Sequence, residues 1–407
     1  LLIIAKANNQ ALGKSENWPL NDKRFYIPQA YTNSDGKLNP PMNLYPYCSE
    51  SQAHFLLLVR NYWQQTGDLA FVDKIWPEIE YVVENLLLLD TNGNALPDQL
   101  QGSYDYQWIT LDTEESLMSA TTSAAYSAIA KLARELGKKE YADSLKLLAE
   151  KIKIEMNKPV EEGGLWKNTP DGRGYYINFR KIGKEPMLDE RFLPYENLGP
   201  MYFGMTSTEQ DQKIFAELDN NYSKYYDLKY GPLLITDQVG HNELTEVEYT
   251  SGPWLGFFDV YLRGEKGHDK NRSRIFKSLL DHAWDIPAGC FTEGLGVYGN
   301  LTGGAGRSWD NGNFFHTLIV GILGIEKSKD GIAIKAPRPV EIIPMGSLQN
   351  VGWKNAIYHF QWKGEGGNIK EVHLDGRKIK PSDQDGKESY LLTKTKGEHQ
   401  CLIILTK

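Results

Sequence analysis

Amphipathic helical stretches, separated alternately by tight turns and by long loops, run through this 407-residue sequence as far as about residue 324. Apolar residues recur at helical spacing in 51–66, 71–88, 113–136 and 141–156, and also near 191–204, 208–224, 253–264, 270–284 and 312–324. This spacing puts one apolar stripe on each helix, and the stripe needs a neighbouring helix to cover it. The pattern therefore predicts a packed, mainly helical fold.

The connections between these helices differ in length and in composition. Gly67-Asp68 and Gly137 make short turns, and Gly137 has the position of a helix C-cap. The long connections concentrate Trp, Tyr, Asp, Glu and Gly, and they cover 89–112, 157–190, 225–250 and 285–311. Because loops on a packed scaffold commonly carry function, this alternation predicts a barrel of helical hairpins with the long loops gathered at one face.

After Gly331 the pattern changes to short apolar or alternating runs, which predict strands at 332–334, 340–343, 356–362, 370–374, 390–392 and 401–405. Asp375-Gly376, between two of these runs, predicts a tight hairpin. Strands that follow a block of helices indicate separate layers or domains. We predict a helical domain over 1–328, irregular in its first 50 residues, and a small β-sandwich domain over 329–407.

Charge and composition exclude several classes of protein. The net charge of −8 is opposite to that of a nucleic-acid surface, so we expect no nucleic-acid partner. No apolar run approaches the roughly 18 residues of a membrane helix. The three cysteines are far apart and match neither a disulfide framework nor a zinc signature. The chain starts without Met and with an apolar run too short for a signal peptide, so we expect a processed protein or a fragment.

The loop that follows the helix at 71–88 offers two kinds of chemistry. Asp90, Asn92 and Asn94 alternate as the ligands of a calcium loop do, but Gln101 stands where such a loop has Glu. An Asx-rich turn that closes the helix explains the same residues. Further on, Asp105 lies among aromatic side chains, whose apolar surface would raise the pKa of its carboxyl and suit it to act as a general acid; these neighbours are Tyr104, Tyr106 and Trp108.

Glu293, far along the chain, is the candidate partner of Asp105. It lies between small residues, Thr292 and Gly294, which would let a substrate or a water molecule approach closely. Glycoside hydrolysis commonly uses two carboxyl groups, one as acid and the other as base or nucleophile. A surface loop carboxylate is the simpler alternative for an isolated Glu.

Other residues in the long loops are candidates for binding a sugar. Ten Trp and 23 Tyr suit a carbohydrate cleft, although a large packed core with Tyr hydroxyls at its rim explains the same composition. Glu196, just before a predicted helix, is also the main rival for a catalytic role, and Asp98 is a further one. The candidate substrate-binding residues are Tyr104, Trp108, Glu196, Asn197, Trp254, Arg307, Trp309, Asp310 and His316. Core packing of each Trp and a satisfied helix position for His316 remain the simpler alternatives.

Several catalytic signatures are missing from the sequence. It contains no Gly-x-Ser-x-Gly elbow, no His-Glu-x-x-His and no phosphate-binding Gly-Lys loop, and its eight His have no metal-ligand spacing. We therefore expect no metal and no organic cofactor.

These segments resemble the six-hairpin glycosidase superfamily. The stretch 59–68 is similar to an early hairpin of those enzymes, and 90–108, with its Leu-Pro-Asp and Tyr-Asp-x-x-Trp elements, resembles a loop of the bile-acid β-glucosidase family. There the Asp after Tyr is the catalytic acid/base, a role that falls on Asp105. Thr292-Glu293, with Trp309 and 313–316 further on, resembles the α-L-rhamnosidase family, where the matching Glu is the general base; that role falls on Glu293.

The resemblance implies an (α/α)6 helical barrel followed by a C-terminal β-sandwich, and an inverting exo-glycosidase without a cofactor that cleaves an oligo- or polysaccharide. An inverting pair would have carboxyl groups roughly 6.5–9.5 Å apart, whereas about 5 Å would indicate a retaining enzyme. A polysaccharide lyase, a phosphorylase and a non-catalytic glycan-binding protein remain alternatives. Enzymes of this kind lead us to expect a periplasmic or secreted protein.

Overall fold

The computed structural model describes residues 50–99, 113–183, 186–226, 253–285, 291–295, 301–305, 308–343, 345–384 and 387–407. These residues fall into two compact units, which divide between Leu218 and Asp219. Helices predominate up to residue 322 and strands predominate after it. A helical part followed by a part built of sheets is the order that the sequence predicts.

The first unit contains the helical hairpins expected from the sequence. Its helices are α1 (Glu50–Thr66), α2 (Leu69–Lys74), α3 (Trp76–Leu87), α4 (Ser116–Glu135), α5 (Lys139–Met156), α6 (Pro194–Tyr202) and α7, which runs across the division (Thr208–Asn220). Gly137 ends α4 with a φ of +78°, as predicted for a C-cap. The helix predicted over 71–88 is two helices, because Pro77 lies in the first turn of α3 and cannot continue α2.

Helices that follow the long connections start side by side. The first turn of α4 is so close to the second turn of α6 that a Cβ on Gly199 would lie 2.2 Å from Leu117 Cδ1. The tight hairpin partner of α4 runs antiparallel to it, with Ser123 Oγ donating a hydrogen bond to the Ala149 carbonyl at 2.8 Å. Buried Ala and Ser on α4 permit this close packing on more than one side.

The first unit also contains a sheet that the sequence does not predict. Its strands are β1 (Asp98–Gln99), β2 (Thr113–Glu115), β3 (Trp166–Asn168), β4 (Gly174–Lys181) and β5 (Met187–Phe192), in the order β1-β2-β4-β3, with β5 also paired to β4. The sequence prediction of a plain loop over 157–190 is wrong, because six consecutive residues of β4 are buried and show no alternation. The helix predicted from residue 113 begins at Ser116, since β2 pairs with both β1 and β4.

The second unit begins with a further set of helices. They are α8 (Tyr222–Tyr226), α9 (Pro253–Glu265), α10 (Arg272–Asp285), α11 (Ser308–Phe315) and a π-helix that continues α11 (His316–Ile322). Phe314 and Thr317 contact Phe257, and Gly321 lies against Tyr261 one turn further along α9. The helix formed by α11 and its π continuation is therefore parallel to α9.

Strands complete the second unit: β6 (Thr292–Leu295), β7 (Leu301–Ala305), β8 (Ile325–Lys327), β9 (Ile332–Ile334), β10 (Ser347–Trp353), β11 (Asn355–Lys363), β12 (Asn368–Leu374), β13 (Arg377–Ile379), β14 (Ser382–Gln384), β15 (Lys387–Leu392) and β16 (Lys396–Thr406). The sheet orders are β10-β11-β16-β12-β13 and β14-β15-β9-β8, with β6 and β7 forming a hairpin. One apolar core takes residues from both larger sheets.

Most strand predictions are confirmed. The hairpin at Asp375-Gly376 joins β12 to β13 with Leu374 opposite Arg377, and both turn residues have positive φ, +51° and +79°, as a type I′ turn requires. Residues 340–343 form a turn and not the predicted strand. Within the described ranges, every helix is too short or too polar to cross a membrane.

Candidate active site

The predicted site residues differ in whether the structure describes their backbone, their side chain or neither. Tyr104, Asp105, Trp108 and Arg307 lie outside the described residues. Glu293, Trp309 and Asp310 are placed by their backbone, in β6 and α11. The side chains of Glu196, Asn197, Trp254 and His316 are described. The pairing of Asp105 with Glu293 and the distance between their carboxyl groups stay predictions.

Both ends of the segment that carries Asp105 are described, and they meet. Asp98 is opposite Glu114 and Gln99 is opposite Thr113 in the antiparallel pair β1–β2. Residues 100–112 lie in the sequence between these two strands, and we call β1 and β2 the two stems. Since β2 also pairs with β4, the stems belong to the sheet of the first unit.

The turn before the first stem is an Asx-rich turn. Asp90 Oδ2 accepts from Ala95 N at 3.0 Å, Asn92 Oδ1 from Asn94 N at 3.0 Å, and Asn94 Oδ1 from Leu96 N at 2.8 Å. One side-chain oxygen of each of these three residues is thus bonded to a backbone N–H group. Among the described residues, no three His, Cys, Asp or Glu side chains form a group that could hold a metal ion. This geometry favours the structural turn over the calcium loop.

Asp98, in the first stem, is buried at 1% exposure. Its Oδ2 accepts from Thr91 N at 2.7 Å and also from the Thr91 hydroxyl. Burial, helped by the negative charges of Glu114 and Asp90 and opposed by the hydrogen bonds from Thr91, raises the pKa of Asp98 to about 6. A carboxyl group that keeps its proton to this pH has the property that the sequence analysis expected of Asp105.

Glu114, in the second stem, accepts hydrogen bonds from the Asx-rich turn and from β4. Its Oε1 accepts from Asn92 Nδ2 at 2.8 Å and from Asn94 Nδ2 at 2.7 Å. Its Oε2 accepts from Arg180 Nε at 2.7 Å and pairs with Arg180 Nη2. Glu114 is fully buried, so this ion pair ties the Asx-rich turn, β2 and β4 together. This ion pair could not be predicted from the sequence, because no local pattern links residues 114 and 180.

Glu196 is also fully buried, at the start of α6. Its Oε2 accepts from Leu117 N at 2.9 Å and lies 2.7 Å from Ser116 Oγ, which is also 2.5 Å from the carbonyl oxygen of Glu196. These donors are the first residues of α4, where N–H groups lack partners within the helix and a negative charge is stabilising. Glu196 thus caps a helix that begins directly after the second stem.

The side chain of Asn197 forms hydrogen bonds with the backbone of β4 and with the backbone of the residue before α6. Its Oδ1 accepts from Tyr176 N at 2.8 Å, and its Nδ2 donates to the carbonyls of Tyr176 at 3.1 Å and Leu193 at 2.8 Å. The side chain is fully buried and joins α6 to β4. Its predicted contact with a substrate stays a prediction.

Glu293 occupies an irregular position in the β6–β7 hairpin. Thr292 is opposite Ala305, whereas Gly294 is opposite Thr302, so Gly303 and Gly304 together face the single residue Glu293. This is a β-bulge, a feature that re-aims a side chain and is common beside active sites. Two glycines opposite Glu293 leave no side chain on the facing strand there, which permits close approach of another group.

The start of β6 is anchored in an aromatic cluster. Phe291 is buried, with its ring centroid 4.7 Å from that of Phe257 and 5.3 Å from that of Phe314. Phe257 lies on α9 and Phe314 on α11. The residue two positions before Glu293 is thereby fixed to two helices of the second unit.

Trp254 and His316 lie on neighbouring helices of the second unit but at different levels. Trp254 is partly exposed in the first turn of α9. His316 has its ring centroid 4.7 Å from that of Tyr261, seven positions after Trp254 and roughly 10 Å further along the helix axis. Burial lowers the pKa of His316, and its buried Nε2 has no hydrogen-bond partner among the described residues.

No protein-family model matches the chain, and no curated protein matches it. Among solved structures it is similar to a GH78 family rhamnosidase of Bacillus sp. GL1, with a TM-score of 0.52 and 14% sequence identity. It is also similar to a bacterial glucoamylase complexed with acarbose, with a TM-score of 0.50 and 14% identity.

These two similarities cover 77% and 68% of this chain but only 32% of the rhamnosidase chain and 41% of the glucoamylase chain. The chain thus spans less than half the length of either. At this level of identity the similarity shows the fold alone, which this chain shares with the two proteins. The resemblance stated from the sequence motifs is confirmed at the level of the fold.

Proposed function

We propose that this chain is the catalytic part of a glycoside hydrolase that cleaves an oligo- or polysaccharide with inversion at the anomeric carbon. The observation that carries the proposal is the fold, which it shares with proteins named as a rhamnosidase and a glucoamylase. In this proposal the hairpins close into an (α/α)6 barrel over 1–328, and the strands over 329–407 form a β-sandwich. We propose a periplasmic or secreted location, as for enzymes that meet polymeric glycans outside the cytoplasm.

Asp105 is the proposed general acid and Glu293 the proposed general base. Asp105 gives its proton to the glycosidic oxygen as the bond from that oxygen to the anomeric carbon breaks. Glu293 takes a proton from water, whose oxygen forms the new bond from the opposite face. The bulge opposite Gly303 and Gly304 supports the assignment of Glu293, and the sequence motif around Asp105 supports the assignment of Asp105.

The aromatic residues of the same loops and helices are the proposed sugar platforms, because flat rings pack on the apolar faces of pyranoses. Their polar neighbours would bond the hydroxyl groups of the substrate. The platforms are Tyr104, Trp108, Trp254 and Trp309, and the polar residues are Arg307, Asp310 and His316. A pair of carboxyl groups is sufficient for glycoside hydrolysis, so the proposal includes no cofactor.

The test is hydrolysis of a panel of aryl glycosides and oligosaccharides that includes rhamnosides and glucosides. Asp105→Asn and Glu293→Gln should each lower kcat by about 10²–10⁴-fold, the usual contribution of a general acid or base. Asp73→Asn and Glu398→Gln make the same chemical changes at exposed positions and should leave kcat unchanged. Proton NMR of the first product should show the inverted anomer.

Other outcomes would favour the alternatives. Turnover that survives Asp105→Asn or Glu293→Gln would move the role to Asp98 or Glu196. An unsaturated sugar product would indicate a lyase, and a requirement for phosphate would indicate a phosphorylase. A sugar that binds but is not cleaved would indicate a glycan-binding protein.

A further inference from the structure

His399, on β16, has an oxygen acceptor at each of its two ring nitrogens. Its Nδ1 lies 2.9 Å from Asp375 Oδ2, and its Nε2 lies 2.8 Å from the carbonyl oxygen of Lys396. A neutral imidazole has one donor nitrogen and one acceptor nitrogen, so either tautomer would leave a lone pair facing an oxygen. Both contacts are hydrogen bonds only when the ring carries two protons and a positive charge.

The carboxyl group beside the ring is an acceptor only. Against the effect of burial, hydrogen bonds from Lys394, from a backbone N–H group and from His399 lower the pKa of Asp375 to about 2. Two further titratable groups lie on this side of the sheet, and burial raises the pKa of both, that of Tyr358 and, to about 12, that of Cys401. These two stay neutral, so the charges that face the ring are those of Asp375 and Lys394.

The ring connects three segments at one end of the five-stranded sheet. Asp375 begins the turn between β12 and β13, and it exchanges two hydrogen bonds with Gln400, one through its N–H at 2.8 Å and one through Oδ1 at 3.0 Å. The ring of Tyr358, on β11, has its centroid 5.2 Å from that of His399. Gly397 has a φ of +90°, which lets the carbonyl before it turn toward the ring. His399 is 8% exposed, so its charge depends on these partners more than on water.

We propose that His399 is a pH-sensitive clamp, which in its doubly protonated form holds the Asp375–Gly376 turn to the start of β16 and releases that turn when it loses one proton. Loss of either ring proton would place two lone pairs opposite each other in a buried site, which is unfavourable. The inference goes beyond the proposed function and does not depend on it.

The direction of the pH effect follows from the two states of the chain. The unfolded chain makes neither hydrogen bond, and its imidazole is protonated below about pH 6.5. The contact therefore stabilises the folded protein fully below that pH, and the stabilisation is lost as the pH rises and the folded ring loses its second proton.

Two measurements observe the clamp directly. Selective ¹⁵N labelling of the eight histidines lets NMR show whether each ring nitrogen of His399 carries a proton, and the spectrum of His399→Asn assigns its signals. Hydrogen exchange of the Asp375 and Gln400 amides, corrected for the intrinsic effect of pH on exchange, reports opening of the turn.

Two variants separate the switch from a structural contact. His399→Asn keeps an N–H group that can donate to Asp375, but it does not titrate. His359→Asn is the matched control, because His359 lies on β11 of the same sheet and its Nδ1 is 2.7 Å from Oε1 of Gln349, an uncharged side chain.

We expect both ring nitrogens of His399 to carry protons at about pH 6 and one of them to have lost its proton by about pH 9. Over this range the protection of the two amides should fall about tenfold or more in the wild type and in His359→Asn. In His399→Asn it should stay constant within about twofold.

An unprotonated ring nitrogen of His399 at about pH 6 in the folded wild type would overturn the proposal, and this result needs no variant to fold. Amide protection that does not change with pH in the wild type would overturn it as well. So would a His399→Asn variant whose protection is lowered by the same factor at every pH, because a purely structural contact would behave in this way.

Discussion

Arg263 is the largest fully buried side chain among the described residues, and its guanidinium is hydrogen-bonded to buried carboxylates. It is 0% exposed on α9, with Nε 2.9 Å from Asp259 Oδ2 and Nη1 3.0 Å from Asp219 Oδ1. Tyr226 donates to Asp259 Oδ2 at 2.8 Å. These contacts connect the end of α7, α8 and α9 inside the second unit.

Arg263→Met should lower the free energy of unfolding by about 3–5 kcal/mol, because it leaves two buried carboxylates without their cation. Urea unfolding followed by tryptophan fluorescence measures the loss. Arg134→Met is the control, since Arg134 and Asp143 are both more than half exposed, and it should cost less than about 1 kcal/mol. Equal losses in the two variants would contradict the idea that burial of the network sets the cost.

Asp98 should make stability depend on pH. Its pKa is about 6 in the folded protein and 3.8 in the unfolded chain, so the folded state favours the protonated form. Stability from this group is therefore complete below pH 3.8 and is lost as the pH rises through about 6. Asp98→Asn stays neutral throughout, so its stability relative to the wild type should rise by about 2 kcal/mol between pH 4 and pH 7. Urea unfolding at several pH values tests this, and a flat difference would contradict it.

At the residue scale, the sequence indicated which side chains could take part in binding or catalysis, but not which groups they contact. Glu196 and Asn197 have the residue types of a sugar-binding loop and precede a helix, which made them candidates. Their observed partners, Leu117 and Tyr176, are 79 and 21 positions away in the chain. No local pattern carries that information, because it arises only when α4, α6 and β4 are packed together.

At the scale of elements, periodicity predicted most helices because they have one buried stripe and clear ends, although α4 is buried on more than one side. Periodicity did not predict β4, because its buried run 174–179 lacks the alternation of buried and exposed residues that indicates a strand. It also placed Thr113–Glu115 in a helix, where pairing with β1 and β4 overrides the local preference. The strands after residue 331 were found more readily, since β11 alternates buried and exposed residues.

Gly199 tests the close start of α4 and α6. A methyl group there would lie 2.2 Å from Leu117 Cδ1, so Gly199→Ala should cost about 1–3 kcal/mol through overpacking. Adding Leu117→Ala should recover part of the loss, because the two side chains then share the space. Gly312→Ala, at an exposed helix position with nothing within 4 Å of the new Cβ, should be neutral or stabilising. Tm measurements of these variants test the prediction. An unchanged Tm in Gly199→Ala would show that the two helices move apart at little cost in free energy.

At the scale of the molecule, the order of helices and strands was predictable, whereas the contacts between them were not. Arg272 of α10 donates to the carbonyls of Arg338 at 2.7 Å and Pro339 at 3.4 Å, and Arg338 pairs with Glu265 of α9. These bonds cross the boundary predicted at 328/329. The pairing of β8 with β9 crosses it as well. The helices and the sheets of the second unit therefore hold each other in place.

A chain that ends at Lys327 should consequently lose more than its strands. It would leave β8 without its partner β9, remove the two carbonyl acceptors that residues 338 and 339 give Arg272, and expose Leu323 and Ile325, which are 8% and 1% exposed in the whole chain. Since apolar area returned to water costs about 25 cal/mol per Å² and the lost hydrogen bonds of Arg272 add to this, we expect the cooperative unfolding transition of the second unit to disappear. Calorimetry and near-UV circular dichroism of the shortened and the full chain measure this. A shortened chain that keeps its Tm within about 2 °C of the full chain would show instead that the helices of the second unit fold without the sheets.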